Sequence, residues 1–256
     1  MITSVRKVPD AQDRFVLDGV AFYGRTYNEY AEMFNLQFNE LQGKRVLDCA
    51  SGPASFAAEA HRMRIHAIAC DPMYVHGLQD LLPRAEEDVK LCVRKSDGQK
   101  KLFDKNANAA EKPDSHYVSE KQRALFTFSR DFTQGKVEGR YVAGSLPNLP
   151  FASNSFDLVL SAHLLFVYAS RINGGMLEED KFTLGFHIEA IKELIRVSRN
   201  EVRIYPLKGP NCQDNPLMAA VLAALNSEPV EVDLRPVTYK DIVGANTMLL
   251  IRKNKA

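Results

Sequence analysis

RVLDCASGPASF at residues 45–56 and IHAIACD at residues 65–71 are the stretches of this chain that decide its fold. Their pattern predicts a buried strand, a tight turn of small residues, a helix, and a second strand that ends in Asp71. Small residues at Ala50, Gly52 and Ala54 let a ligand approach the backbone at the mouth of the first strand. A carboxylate about 20 residues further on can accept hydrogen bonds from both hydroxyls of a ribose. Together they favour half of a nucleoside-binding site over simple close packing of a helix on a strand.

A second stretch, LPFASNSFDLVLSAHL at residues 149–164, strengthens this interpretation. With it, the chain resembles the class I S-adenosylmethionine-dependent methyltransferases, clearly over residues 43–73 and 140–198 and more loosely to the end. Three positions depart from the family pattern. Ala50 and Ala54 stand where glycines are common, and Ser145 stands where many relatives carry an aspartate for the adenine amino group. We expect a stiffer loop and weaker cofactor binding than average.

The resemblance implies S-adenosylmethionine as cofactor and S-adenosylhomocysteine as product. It places the turn after the first strand around the methionine moiety, Asp71 on the ribose, residues 72–73 and 145–146 on either side of the adenine, and residues 161–164 at the transferred methyl. The cofactor residues that it implies are Asp48, Ala50, Ser51, Gly52, Pro53, Ser55, Asp71, Pro72, Met73, Ser145, Leu146, Ser161, Ala162, His163 and Leu164.

The segment at residues 22–34 precedes the first strand and has the pattern of a helix. Its aromatic residues recur every three or four positions and form one stripe, at positions 23, 27, 30 and 34. Such a stripe most simply packs on the sheet. In the related enzymes a leading helix can close over the cofactor, which makes Tyr23, Arg25 and Tyr27 candidates for the methionine carboxylate or the substrate. Arg25 is the best of them, because a guanidinium can hold a carboxylate through two parallel bonds.

Composition agrees with one large α/β domain, since the chain has 256 residues and 45% hydrophobic content. A net charge of +1 does not favour a nucleic-acid substrate. Four scattered cysteines lack metal-type spacing and are read as reduced thiols, so no metal site is expected. We find neither a signal-peptide pattern nor an apolar run of about 18 residues, which predicts a cytoplasmic protein without membrane association.

Residues 78–139 interrupt the alternation of strands and helices. Helical patterns near residues 77–93 and 118–132 flank a polar stretch from Lys95 to His116, which is too long for an ordinary connection. We therefore predict a single methyltransferase domain, residues 1–256, that carries a helical insertion or cap at residues 78–139. Its polar centre is expected to be mobile, and the insertion should lie beside the carboxyl ends of the strands, where substrates bind.

The carboxyl-terminal third returns to regular order. We predict strands at residues 140–143, 156–162, 201–206, 230–234 and 247–252, with helices at 186–197 and from 215 to 225. The last two strands have no room for a crossover helix between them, so they should be antiparallel. The expected fold is a doubly wound, mostly parallel seven-stranded sheet with an antiparallel last strand. This ending favours a methyltransferase over a purely parallel dinucleotide-binding fold.

The sulfonium already activates its methyl group, so catalysis rests on aligning the acceptor and removing water. An oxygen or nitrogen acceptor also has to lose a proton. His163, next to the expected methyl, is the candidate general base, although a histidine after a buried strand often only holds a loop. Tyr168 and His187 are weaker candidates. Neither an Asn-Pro-Pro-Tyr motif nor a Pro-Cys pair occurs at the fourth strand, which disfavours methylation of base amino groups or of cytosine carbon.

The sequence thus predicts a methyltransferase for an unidentified acceptor, most simply a small molecule. One alternative is a nicotinamide-dependent oxidoreductase, which the terminal strand pair and residues 149–157 disfavour. Another is a catalytically silent module that binds the cofactor and uses its insertion to engage a protein or RNA partner.

Overall fold

The computed structural model describes residues 16–97, 113–210, 212–239, 241–242 and 244–254. Seven strands in this part of the chain form one sheet: β1 (Arg45–Cys49), β2 (His66–Cys70), β3 (Tyr141–Val142), β4 (Phe156–Ala162), β5 (Ser198–Tyr205), β6 (Val230–Pro236) and β7 (Thr247–Lys253). The helices are α1 (Tyr27–Phe34), α2 (Phe38–Leu41), α3 (Phe56–Arg62), α4 (Leu78–Asp97), α5 (Pro113–Val137), α6 (Leu184–Val197) and α7 (Met218–Leu225).

The strands lie in the order β3-β2-β1-β4-β5-β7-β6. The first five strands of that order are mutually parallel, and β7 pairs antiparallel with both β5 and β6. The predicted mostly parallel sheet with an antiparallel last strand is confirmed. The central pair is in direct register, with Asp48 opposite Ala69 and Cys49 opposite Cys70. Parallel strands end at the same edge, so the loops that follow β1, β2 and β4 meet there.

Helices cover both faces of the sheet, as a doubly wound fold requires. On one face α1, α3 and α5 pack together, and their apolar residues form a core with Tyr30, Phe56 and Phe128. On the other face α6 packs on β4 and β5 through Ile191, Leu194 and neighbouring residues, and α7 packs on α6 and β6. Both faces of the central strands are therefore buried, which accounts for the continuous apolar runs in β1 and β4.

Local capping fixes where the helices begin. Thr26 and Glu29 form a capping box at the start of α1, with reciprocal hydrogen bonds between side chains and backbone. Thr183 accepts the Phe186 N–H at the start of α6. The helix α1 begins at Tyr27, later than the predicted residue 22. Gly24 explains the difference, because its backbone lies so close to Pro53 and Ala54 that a Cβ there would overlap them.

Two other boundaries differ from the sequence prediction. The last helix begins at Met218 rather than at Asn215, whose side-chain oxygen accepts the Leu217 N–H in the preceding turn. The strand β5 begins at Ser198, directly after α6, where residue 201 was expected. Both shifts concern ends of elements whose existence and type were predicted correctly.

The segment at residues 78–139 contains the two long helices α4 and α5, each extending beyond its predicted bounds. The helix α5 packs on α3 and α4 and leads directly into β3. The central part of the predicted mobile stretch, residues 98–112, lies outside the described residues. None of the described helices is long and apolar enough to cross a membrane.

An aromatic cluster attaches α5 to the sheet. The rings of Tyr74, Phe128, Phe132 and Tyr141 lie with their centroids 4.9–6.0 Å apart, in tilted, stacked and edge-to-face arrangements. All four side chains are buried. Such pairs contribute beyond the area that they bury, so this cluster fixes α5 against the end of β3.

We predict that Phe128→Ala lowers the free energy of unfolding by about 3–5 kcal/mol, because it leaves a cavity in this cluster. Phe126→Ala, two positions earlier on the same helix, is the matched control. Phe126 is 61% exposed, so its removal should change stability by less than about 0.5 kcal/mol. Urea titrations of both variants measure the difference, and equal losses would contradict the packing described.

Candidate active site

Asp71, directly after β2, organises the loop that follows β1. Its carboxylate accepts the Gly52 N–H and the Met73 N–H, each at 2.9 Å. The Tyr74 hydroxyl donates to the Gly52 carbonyl oxygen at 2.5 Å. Burial raises the pKa of Asp71 to about 6, although the two N–H donors act in the opposite direction. Each carboxylate oxygen retains a second lone pair for a ligand hydroxyl.

A cavity of about 170 Å³ opens beside Asp71 at the carboxyl edge of the sheet. Its walls are mainly apolar. Seven residues that the sequence assigned to the cofactor line it, namely Ala50, Asp71, Pro72, Met73, Ser145, Leu146 and Leu164. Its other lining residues are Val20, Ala21, Phe22, Cys49, Arg84, Gly144, Phe182 and Phe186. The structure thus brings the expected ribose and adenine loops together around one cavity.

Asp48 lies beneath this surface and does not line the cavity. Its side chain is fully buried, and both oxygens accept the Tyr30 hydroxyl at 2.9 Å. Burial raises the pKa of Asp48 to about 7. Ser55 is also engaged within the protein, since its Oγ accepts the Tyr27 N–H and donates to Glu59. Neither side chain is placed to touch a ligand in the cavity.

The amino-terminal segment, residues 20–26, crosses the loop at residues 51–55. Gly24 contacts the Pro53 backbone, and the Ser55 N–H donates to the Arg25 carbonyl oxygen at 3.0 Å. Phe22, at the other end of the segment, lines the cavity and donates its N–H to Asp88 at 2.7 Å. Ser51, Gly52 and Pro53 are buried under this segment. The segment therefore covers the loop that was expected around the methionine moiety.

Beyond that crossing lie five ionisable residues, which we call the charged cluster: Arg25, Glu29, Lys121, His163 and Asp241. Asp241 Oδ2 accepts both Arg25 Nη2 at 2.5 Å and His163 Nε2 at 2.7 Å. Lys121 Nζ donates to Glu29 Oε1 at 2.5 Å, and these side chains are 0% and 11% exposed. The cluster joins α1, α5, the end of β4 and the loop before β7.

Tyrosine rings surround the charged cluster. Tyr23 lies under both Arg25 and Lys121, 5.2 and 5.3 Å from its ring centroid, and Tyr117 lies 5.2 Å from Lys121. The Tyr239 hydroxyl donates to Glu29 at 2.7 Å. Tyr23 and Arg25, both predicted site residues, are thus side by side. Arg25 binds the carboxylate of Asp241, whereas the sequence predicted that it would bind the carboxylate of the cofactor.

The ionisation states in the charged cluster follow from burial and pairing. Burial lowers the pKa of His163 to about 4, with the Arg25 charge acting in the same direction, so the imidazole is neutral at pH 7. Burial also lowers the pKa of Lys121, to about 8, although Glu29 raises it. Burial alone would raise the pKa of Glu29, but Lys121 and Arg25 bring it down to about 2. The cluster therefore has two cations, two carboxylates and no net charge.

Five side-chain polar atoms are buried without a hydrogen-bond partner in the part of the chain that the structure describes. They are Arg25 Nε, Ser51 Oγ, Ser161 Oγ, His163 Nδ1 and Asp241 Oδ1. Ser161 and Ala162 are the last residues of β4, followed by His163 and then by Leu164 at the cavity. Since buried polar groups normally have partners, these atoms indicate a place for a polar ligand next to the cavity.

The two weaker candidates for a base have structural roles. His187 Nε2 accepts the Phe166 N–H at 3.1 Å, and its Nδ1 lies 2.8 Å from the Thr183 carbonyl oxygen. Both ring nitrogens are therefore used to join α6 to the loop after β4. The Tyr168 hydroxyl accepts the Ala21 N–H at 3.2 Å and so holds the amino-terminal segment.

The sequence analysis missed Glu29, Lys121 and Asp241. Glu29 was visible as the third helical position after Thr26, but that pattern predicts only a cap. Lys121 and Asp241 stand in polar stretches that no motif distinguishes, and only the tertiary fold brings them to His163. No cluster of three metal-binding side chains occurs among the described residues.

The strand order and the antiparallel β7 are those expected from the resemblance to the class I S-adenosylmethionine-dependent methyltransferases. No family model matches the chain. An uncharacterized protein from Methanocaldococcus jannaschii is 26% identical over 238 residues, covering 93% of this chain and 98% of that protein.

The solved structures similar to this chain include methyltransferases. Magnesium protoporphyrin IX methyltransferase from Synechocystis PCC 6803, with bound S-adenosylmethionine, has a TM-score of 0.41 and 10% identity over 84% of this chain and 73% of its own. A methyltransferase from Aquifex aeolicus scores 0.39 with 12% identity over 88% and 91% of the two chains. An rRNA methylase from Streptococcus thermophilus scores 0.39 with 11% identity over 90% and 94%. At these scores the likenesses assign no activity.

We predict that Lys121→Met lowers the free energy of unfolding by about 3–5 kcal/mol, because it leaves Glu29 buried without its cation. Glu29→Gln in the same protein should restore part of that loss, since no unpaired charge then remains. Urea unfolding of the two single variants and the double variant gives the coupling. Additive losses would show that the two side chains do not interact in solution.

Proposed function

We propose that this protein is an S-adenosylmethionine-dependent methyltransferase that acts on a small-molecule acceptor. The observation that supports it most is the cavity beside Asp71. Residues chosen from sequence for the ribose and for both sides of the adenine line that one cavity, at the edge where the loops after β1, β2 and β3 meet.

The cavity's chemistry fits an adenosine. Asp71 offers carboxylate lone pairs for the two ribose hydroxyls, and Ala50 leaves room for a ligand at the backbone. Met73 and Leu146 supply apolar contacts for a planar base, with the exposed Ser145 at the rim. A volume of about 170 Å³ lies below the usual range for ligand pockets. We therefore expect the wall formed by residues 20–22 to move outward when the cofactor binds.

The methionine end of the cofactor fits the neighbouring polar edge. Arg25 Nε is a buried donor without a partner, which suits a carboxylate. Residues 161–164 lead from the end of β4 to the cavity wall. Residues 51–53 lie under the amino-terminal segment, which would have to move for them to reach the methionine moiety. When bound, the cofactor supplies an activated methyl group on a sulfonium. The protein's own contribution is to orient the acceptor and to exclude water.

We assign the acceptor side to the charged cluster and the insertion at residues 78–139. Two of the insertion's side chains support this assignment: Arg84 lines the cavity, and Lys121 lies within the charged cluster. The insertion would then govern which acceptor enters. A small molecule fits better than a nucleic acid, because the net charge is only +1 and the charged cluster itself is neutral.

A thermal-shift comparison tests the cofactor assignment. At about 100 times its dissociation constant, S-adenosylhomocysteine should add about 2.7 kcal/mol and raise Tm by about 5 °C or more. NAD at the same concentration should leave Tm unchanged, because the antiparallel β7 departs from a parallel dinucleotide-binding sheet. Stabilisation by NAD alone would contradict the proposal.

We predict that Asp71→Asn weakens S-adenosylhomocysteine binding about 10-fold to 150-fold, through the loss of charge-assisted bonds worth roughly 1.5–3 kcal/mol. Asparagine is preferred to alanine because it keeps the side-chain volume and one acceptor oxygen, whereas alanine would leave both the Gly52 and the Met73 N–H groups without an acceptor. The control is Asp80→Ala, an exposed acid at the start of α4, which should bind normally. Isothermal titration calorimetry measures all three proteins, and normal affinity of Asp71→Asn would remove Asp71 from the ribose.

Cofactor affinity should also depend on pH. The ribose hydroxyls favour the ionised form of Asp71, whose pKa is about 6 in the free protein. Affinity should therefore be highest above pH 7 and fall about tenfold by pH 5, where most of the free protein must first lose a proton. The same titration on Asp71→Asn should show no such fall. A tenfold fall that persists in the variant would place the titrating group elsewhere.

A further inference from the structure

We propose that Asp241 orients His163 as the proton acceptor of the reaction, and that the methyl acceptor presents a neutral hydroxyl group to His163 Nδ1. This inference rests on the proposed methyltransferase function and names both the substrate class and a positioning residue that the sequence did not reveal.

The hydrogen bond between the two side chains fixes the tautomer of His163. Asp241 Oδ2 lies 2.7 Å from His163 Nε2 and 2.5 Å from Arg25 Nη2, and all three side chains are 8–11% exposed. Burial alone would raise the pKa of Asp241, but His163 and Arg25 hold it well below its usual range. The ionised carboxylate can only accept, so the proton of the neutral imidazole must be on Nε2. The lone pair is then on Nδ1.

That lone pair has no partner within the described part of the protein. His163 Nδ1 is buried and has no partner among the described residues, and the same is true of Ser161 Oγ two positions earlier. Leu164, the next residue, lines the cavity. The geometry therefore leaves an unused proton acceptor and an unused hydroxyl at the end of β4, in the residues that lead to Leu164 at the cavity wall.

The backbone holds His163 in an uncommon conformation. Its φ is +55°, in the left-handed region, and its N–H donates to the Tyr205 carbonyl oxygen at 2.7 Å. For a residue other than glycine this conformation costs about 1–2 kcal/mol, so the surrounding structure has to hold the imidazole in this position. The rings of Tyr205 and Tyr239 pack edge-on against it, at 5.5 and 6.5 Å between centroids.

Charge balance selects the acceptor class. The charged groups that act on His163 are Arg25, Lys121 and Asp241, and the rings of Tyr205 and Tyr239 pack against it. Glu29 pairs with Lys121, so the formal charges of the charged cluster cancel at pH 7. Once the cofactor's carboxylate occupies Arg25 Nε, as proposed above, the charged cluster has no further counter-charge for an ionic acceptor, whereas a hydroxyl donates one hydrogen bond and brings no charge.

The hydroxyl proton moves to His163 Nδ1, and the oxygen uses the electron pair of its former O–H bond to bind the methyl carbon. The pair of the broken carbon–sulfur bond stays on sulfur. The imidazolium that forms is stabilised by Asp241 and then releases its proton to solvent.

The test uses NMR of histidine-¹⁵N-labelled protein saturated with S-adenosylhomocysteine, with phenol, benzoate and benzylammonium as probes of equal ring size. We expect His163 as the Nε2–H tautomer, a change at Nδ1 on adding phenol, and binding of the two ions at least tenfold weaker than phenol. Asp241→Asn should give a mixture of His163 tautomers and weaken the binding of phenol. Asp214→Asn, at the surface, should have the tautomer and the phenol affinity of the wild type.

An Nδ1–H tautomer in the wild type would overturn the inference. So would benzoate or benzylammonium binding as tightly as phenol, or a phenol complex in which the ¹⁵N chemical shift of His163 Nδ1 does not change. Because the tautomer is read on the wild-type protein, the outcome does not depend on whether the variant folds. Failure of S-adenosylhomocysteine to bind would count against the methyltransferase function itself, and is scored separately in the same sample.

Discussion

The carboxylate of Asp71 determines the shape of the site. It lies directly after β2 and accepts one hydrogen bond from an N–H of the loop after β1 and another from an N–H of the turn after β2. Two neighbouring parallel strands are thus joined at their carboxyl ends by one buried acid. Without it, two backbone donors would lose their acceptor and the cavity would lose its polar wall. The same burial that allows this role also raises the pKa of Asp71.

The charged cluster is the second organising feature, and its role differs from that of Asp71. It joins segments that are distant in sequence, since Arg25 and Asp241 are 216 residues apart and Glu29 and Lys121 are 92 apart. Paired buried charges rarely add net stability over an apolar core, but the loss of either partner is costly. Such a cluster specifies one arrangement of α1, α5 and the loop before β7. It thereby holds His163 and Arg25 in place beside the cavity.

Features that depend on neighbouring residues in the sequence could be predicted, whereas features that depend on contacts between distant residues could not. The sheet could be predicted, because a buried parallel strand is a continuous apolar run in the sequence, and the turn after it is a run of small residues. Asp71 and the loops at residues 72–73 and 145–146 were found through the family resemblance. Their assignment to the cofactor remains a proposal. The start of α1 could not be predicted, because it depends on the contact of Gly24 with Pro53. Asp241 carries no local signal, and only the fold brings it to His163.

A crystal structure of the protein with S-adenosylhomocysteine tests the central claim most directly. The proposal predicts the adenosine in the cavity, with both ribose hydroxyls within hydrogen-bond distance of Asp71, the adenine between Met73 and Leu146, and residues 20–22 displaced outward from their present position. A ligand bound elsewhere, or a ribose that makes no contact with Asp71, would contradict it.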